Sequence, residues 1–433
     1  MSIPLDRLYH YIEDVAQEVH GDSVLIYRFF PHGSKKIEDL SFLSNSRVTF
    51  ESLTRMPPLY CYDQEPLDYN RYVNSPMSEP ELNEGFNNPA FEWPDYNLRT
   101  RVTNIYDYSI LVHSEKRSSE VEKYQSNFFI PVYYWSHAII ARDWFRYAEH
   151  QSQHKKTDLK DFLIYNRAWS GTREYRIKFT DLLVEHDLVD QCKTSFNTVE
   201  PEIKINYQQH KFLNSNWIPK NILENHFKPT VANASYSADF DINDYNSTRF
   251  EVVLETLFDD DRLHLTEKSL RPIACGQPFI LAGTWGSLEY IRSYGFQTFD
   301  GIIDESYDLI KDPGRRLTAI VQEMRRISNW TDQEKQHNLI KLQQIAQHNR
   351  RHFFSDEFSL QIVNELQQNL KTAFDTLENK NTSKNYFAMR KKLNSIPALR
   401  QKLLIGDEFR SRQQILATVK KAREYYNKSP NKY

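Results

Sequence analysis

The sequence predicts an α/β fold in two domains, each built on a mainly parallel sheet. Short apolar runs of strand length alternate with longer helical or irregular stretches, the pattern of βα units rather than hairpins. The alternation is interrupted at the almost wholly polar EHQSQHKKTDLK (149–160) and then restarts, which marks a linker. The 433 residues suffice for two ordinary cores.

The N-terminal MSIPLDRLYHYIEDVAQEVHG mixes acids with apolar positions and reads as an amphipathic helix, without the pattern of a signal peptide. Strand-like runs follow at SVLIYRFF (23–30), PLYCYDQEP (58–66) and YSILVHSEK (108–116). FFIPVYYW (128–135) leads into the helical HAIIARDWFRYAEH. Past the linker, DFLIYNR (161–167) is a strand, and GTREYRIKFTDLLVEHDLV is a helix with Ile177, Leu182, Leu183 and Val189 on its apolar face. Residues 195–248 are Asn-rich and read as irregular surface loops. RFEVVLETLF (249–258) precedes a helix over SLRPIAC (269–275), ended by Gly276, and the buried strand PFILAG (278–283). A helix SLEYIRSYG (287–295), a strand FQTF and helices over 315–372 complete the body. The domains run 1–155 and 156–372, with a basic helical extension over 373–433.

Hydrophobic residues at 39% and aromatics at 14% place the chain among globular proteins. No run approaches a membrane span, so no membrane partner is expected. Cys61, Cys192 and Cys275 are far apart and form no CxxC pair, which argues against a disulfide framework or a zinc site and for a reducing cytoplasm. The net charge is −3, yet residues 380–433 carry 14 Lys and Arg against three Asp and Glu. A basic tail on an acidic body can attract polyanions, or dock on the body itself.

Only 11 glycines are present, with no GxGxxG after a strand and no GxxxxGK[ST]. Phosphate binding must therefore rest on side-chain cations and helix N-termini. HExxH, GxSxG and metal-spaced Cys/His clusters are also missing, so no metal or resident cofactor is expected. The most informative block is DDDRLHLTEKSLRPIACGQPFILAGTWGSLEYI (259–290), where a polar loop delivers Thr266, Glu267 and Lys268 to a helix mouth. Such loops lie outside the carboxyl ends of parallel strands, where α/β proteins bind ligands. A carboxylate there can accept both ribose hydroxyls, and an ammonium can neutralise a diphosphate. Thr266 or Ser269 could instead simply cap the helix, with Glu267 and Lys268 as solvated first-turn charges.

The order loop, T-E-K, helix, P-I-x-x-G, x-P-F-I-L-x-G resembles the donor-binding half of GT-B glycosyltransferases. That fold has two Rossmann-like domains facing across a cleft, the nucleotide-sugar lying mainly on the second. More narrowly, YDQEP (62–66), VYYWSHAIIARDWFRYAEH (132–150), YNRAWSGTREYRIKF (165–179) and LTEKSLRPIACGQPFIL (265–281) look like glycosyltransferases of large tailed phages that modify hydroxymethylcytosine in DNA, some with arabinose. The resemblance implies a donor such as a UDP-sugar as co-substrate, double-stranded DNA as partner and, for a bacteriophage protein, the host cytoplasm. It also implies donor-binding roles for Thr266, Glu267 on the ribose, Lys268 on the diphosphate, and Arg167 and Arg173 at the first strand-to-helix junction of the second domain. Cys275 stands eight residues after Glu267, where the Glu-x7-Glu enzymes have their second acid, so the retaining branch is in doubt.

An inverting transfer needs one base to take the acceptor's proton. Asp63 and Glu65 end the strand PLYCYDQEP and are candidate catalytic acids or bases; His113 and Glu115 hold the equivalent place on the next strand as acceptor-binding candidates. For each taken singly, a capping or salt-bridging role is the more common one for such a residue. The stripe Tyr133, Tyr134, Trp135, Trp144, Phe145 and Tyr147 fits stacking on a base or sugar, or a packed core. Lys420, Lys421 and Arg423 lie off the apolar stripe of the last helix and would contact DNA phosphates. The expected activity is sugar transfer, of hexose or arabinose, to a hydroxyl acceptor, 5-hydroxymethylcytosine first. A glycan, lipid or small-molecule acceptor is the second reading, and a non-catalytic nucleic-acid-binding protein the third.

Overall fold

A computed structural model describes residues 6–21, 24–28, 57–62, 64–70, 108–150, 159–201, 203–227 and 240–380. Two four-stranded sheets organise them. The first runs β1 (Leu25–Arg28), β2 (Pro58–Tyr62), β3 (Ser109–His113), β4 (Phe129–Tyr133) in chain order. The second holds β5 (Lys160–Asn166), β6 (Cys192–Phe196), β7 (Thr248–Leu254) and β8 (Phe279–Ala282) in the order β6-β5-β7-β8. Every pairing is parallel. Parallel strands are covered on both faces, which is why they read as apolar runs rather than alternating ones: all four residues of β8 are buried, and all of β5 but Lys160.

The helices are α1 (Asp6–His20), α2 (Ser119–Gln125), α3 (Ser136–Trp144), α4 (Tyr175–Glu185), α5 (Ile242–Asn246), α6 (Glu267–Cys275), α7 (Ser287–Ser293), α8 (Pro313–Ser328), α9 (Asp332–Phe354) and α10 (Asp356–Lys380). Their ends follow local chemistry. Gly276 closes α6 in the left-handed region at φ 65°, which a Cβ would oppose. Asp312 caps α8, with Pro313 in its first turn, and Thr331 and Glu334 form a capping box on α9.

Three sequence expectations change. CKTSF, with only two apolar residues, is the strand β6, recognisable only by its ladder to β5. The strand expected at FQTF is extended chain without a ladder. Phe296 and Phe299 are buried there by rings, Phe358 at 5.0 Å and Phe279 at 5.2 Å between centroids, so their spacing reports burial rather than pairing. Finally, α10 runs unbroken through the boundary expected at 372 and packs on α1 and β4, so the end of the second half returns to the first sheet. Residues 151–158 of the expected linker, and the basic tail beyond Lys380, lie outside the described residues.

Candidate functional site

In the second sheet β5 lies between β6 and β7, so the chain leaves β5 toward one side and later returns on the other. Such a reversal opens a crevice outside the carboxyl ends of the two central strands. Arg167 follows β5 directly, and Gly171–Arg173 forms a 3-10 turn at φ 63° for Gly171 before α4 begins. Beneath this loop lies Arg176, 3% exposed. Its Nη1 donates to the Ala168 carbonyl (2.7 Å) and its Nη2 to those of Leu254 (2.7 Å) and Glu255 (3.0 Å). Its Nε is buried with no acceptor among the described residues. The guanidinium thus stitches the ends of β5 and β7 together through carbonyls. Burial lowers its pKa, and the neighbouring charge of Arg173 acts in the same direction. The buried Glu255 carboxylate nearby acts in the opposite direction, favouring the charged guanidinium. Arg167 and Arg173 lie on the same loop; Arg173 Nε donates to the Ser170 carbonyl at 3.2 Å.

The helix mouths beside the crevice are occupied from within. Thr266 caps α6 and accepts from the Lys268 amide at 3.4 Å. The buried Glu255 accepts the Thr266 amide (3.1 Å), the Thr266 hydroxyl (2.7 Å) and the Ser269 hydroxyl. Asp308 serves α7 likewise, taking the Ser287 and Leu288 amides at 3.0 and 3.1 Å; burial pushes its carboxyl up to about 6. Carboxylates at helix N-termini satisfy the dipole. The mouth of α6 is therefore largely answered by the protein itself.

Glu267 is not a solvated first-turn charge. It is 4% exposed; Oε1 lies 2.9 Å from Lys268 Nζ and Oε2 lies 3.0 Å from Nδ1 of His137 on α3. Burial opposes its charge, but Lys268 and His137 together hold the carboxyl well below the usual carboxylate range. The other nitrogen of His137, Nε2, lies 3.0 Å from the Gln64 carbonyl, to which it can only donate. Nδ1 faces Glu267 without meeting hydrogen-bond geometry.

This pair belongs to a seam where residues following the first-sheet strands meet residues 262–267, which lead from β7 into α6. Lys116 and Leu263 form a two-bond antiparallel bridge, each amide donating to the other's carbonyl at 2.9 Å. Trp135 Nε1 donates to the Leu265 carbonyl (2.9 Å), and Ser114 Oγ meets His264 Nδ1 (3.1 Å). Glu115 accepts from the Leu67 amide (2.6 Å), the Ser118 hydroxyl and Arg262 Nη1 (3.4 Å). Burial pushes its carboxyl up and Arg262 pulls it down.

The structure thus brings Thr266, Glu267, Lys268, His113 and Glu115 to the seam, and Arg167 and Arg173 to the adjoining crevice. Glu65 is half-buried three residues past β2. Asp63, Lys420, Lys421 and Arg423 lie outside the described residues. His113 accepts the Glu115 amide on Nδ1 (3.3 Å), and burial lowers its pKa to about 4. At neutral pH its proton therefore sits on Nε2, which suits a hydrogen-bond donor rather than a base. Tyr134, Trp135 and Phe145 of the aromatic stripe are core, and Tyr147 is exposed under Arg146. Sequence reasoning missed Arg176, Glu255 and His137. A charged residue on the apolar face of α4 was the one local signal for Arg176; Glu255 and His137 become informative only through partners 11 and 130 residues away.

The features in hand define an α/β protein with two parallel sheets whose carboxyl ends meet along a polar seam. Comparisons with family models, curated proteins and solved structures give no match. Among the described residues no cluster of three or more His, Cys, Asp or Glu could hold a metal ion, and no helix is long and apolar enough to cross a membrane.

Proposed function

We propose that this chain is a nucleotide-sugar-dependent glycosyltransferase of GT-B architecture, with the donor on its second half. The observation that carries the reading is the crevice between β5 and β7, where Arg167 and Arg173 share a loop pinned by the buried Arg176. Two arginines on one loop at the reversal point of a parallel sheet, without a glycine cradle, suit a diphosphate. Cationic side chains stabilise the nucleoside diphosphate as it departs. Glu267 and Lys268, at the seam, would hold the ribose and the sugar-side phosphate. The acceptor hydroxyl approaches from the first half, where Asp63 or Glu65 takes its proton and His113 donates through Nε2.

Hydroxymethylcytosine in DNA is the first acceptor to test, on the strength of the phage resemblance and the basic tail. Incubating the protein with a panel of nucleotide-sugars, with and without hydroxymethylated DNA, and weighing the products tests both levels. Slow release of nucleoside diphosphate without acceptor supports the donor site; a sugar mass added to DNA supports the acceptor. If no nucleotide-sugar is bound or hydrolysed, the transferase reading fails.

A further inference from the structure

Glu267 and His137 are each 4% exposed, so neither can meet a ligand while the seam is shut. Under the donor reading proposed above, a ligand reaches them only if the seam opens. Lys116 and Arg117 lie three and four residues beyond β3; Lys116 itself makes the backbone bridge to Leu263, and both side chains reach rings of the second half. Lys116 Nζ lies 4.6 Å from the ring centre of Tyr133, 4.9 Å from Tyr290 and 5.6 Å from Tyr294. Tyr133 belongs to β4, whereas Tyr290 is on α7 and Tyr294 just follows it. The Tyr133 hydroxyl bonds to that of Tyr290 and lies 3.2 Å from that of Tyr294, which donates to Glu365 at 2.9 Å. Arg117 lays its guanidinium 3.7 Å from the ring centre of Trp285 and donates to the Trp285 carbonyl. The Trp285 ring is itself held by Nε1 donating to Asp261 at 2.8 Å.

The backbone is shaped for this contact. Arg117 adopts φ 54°, a region uncommon for a side-chain-bearing residue. Gly286, at φ 79°, lacks the Cβ that would come within 3.2 Å of Arg117 Nη1. Attraction of a cation to a ring face falls away beyond about 6 Å, so the contacts of Lys116 with Tyr290 and Tyr294 and of Arg117 with Trp285 exist only when the halves are together. We propose that Lys116 and Arg117 form a cation–aromatic clasp that closes the two halves over the seam, and that its release uncovers Glu267, His137 and Lys268 to ligand. That a ligand then reaches Glu267 rests on the transferase reading; the clasp itself is tested without ligand.

Hydrogen exchange on the full chain reads the seam directly, through the amides of Lys116 and Leu263. In the double variant Lys116→Met, Arg117→Gln these two amides should exchange about tenfold faster or more, while those of β5 and β8 keep wild-type protection. Trp285→Leu, made from the opposite side, should give the same selective loss, and Lys116→Arg should retain protection. Unchanged exchange at Lys116 and Leu263 overturns the clasp. Equal acceleration in β5 and β8 overturns it too, because the cations would then support the whole fold rather than the seam.

Discussion

Glu267 combines a proposed donor contact with a buried ion pair in one side chain. Under the transferase reading, Glu267→Ala removes a charged hydrogen bond to the donor, a loss of about 1.5–3 kcal/mol or roughly tenfold or more in affinity. Calorimetry on folded variant and wild type gives the answer; equal donor affinity would remove Glu267 from the site. Asp63→Asn should lower turnover by about 10²–10⁴-fold with little change in donor affinity, as removal of a general base does. Near-normal turnover in Asp63→Asn together with loss in Glu65→Gln moves the base to Glu65. His113 makes a pH prediction that needs no ligand. The ring titrates near 6.5 when unfolded and at about 4 in the folded protein. Between those values the unfolded chain binds more protons, so stability is full above about 6.5 and is lost as pH falls toward 4. Burial lowers the His264 pKa too and adds the same sign. The His113 contribution is about 3 kcal/mol across that window. Denaturant unfolding of His113→Gln at pH 7 and 4.5 should show a shallower acid loss than wild type; parallel losses would refute the assignment.

Among the elements, α6 carries the candidate donor residues, and both its ends are set by chemistry visible nearby. Gly276→Ala forces a Cβ into the left-handed C-cap and should cost about 1 kcal/mol, read as a lower denaturation midpoint. A midpoint equal to wild type would mean that the α6 terminus relaxes without strain. The start of the helix has another logic. Thr266 as cap is local, but Glu255, which anchors the Thr266 and Ser269 hydroxyls, comes from the end of β7. The T-E-K block was therefore legible as a helix mouth, whereas the burial of Glu267 was not. Nothing in its immediate neighbours announces that His137 will approach from α3.

For the whole molecule, charge asymmetry makes the broadest prediction. If the basic tail lies along duplex DNA, replacing Lys420, Lys421 and Arg423 with Gln should weaken binding and flatten its salt dependence by about 0.9 per lost phosphate contact. Donor hydrolysis should be unaffected. An unchanged salt slope would make the tail a packing element, and reduced hydrolysis would mean that it braces the two halves.

The sequence by itself determined the α/β class, most strand and helix positions and the loops that end at the carboxyl edges, because apolar period, turn chemistry and helix stop signals act over a few residues. Only the tertiary structure decided that β6 is a strand, that α10 crosses back to the first sheet, and that Arg176 lies buried at the reversal between β5 and β7. It also decided that Glu267 faces His137 and that Lys116 and Arg117 reach rings of the other half. Each of these depends on contacts between residues far apart in the chain, where burial and electrostatic pairing are set by which surfaces meet rather than by neighbouring residues.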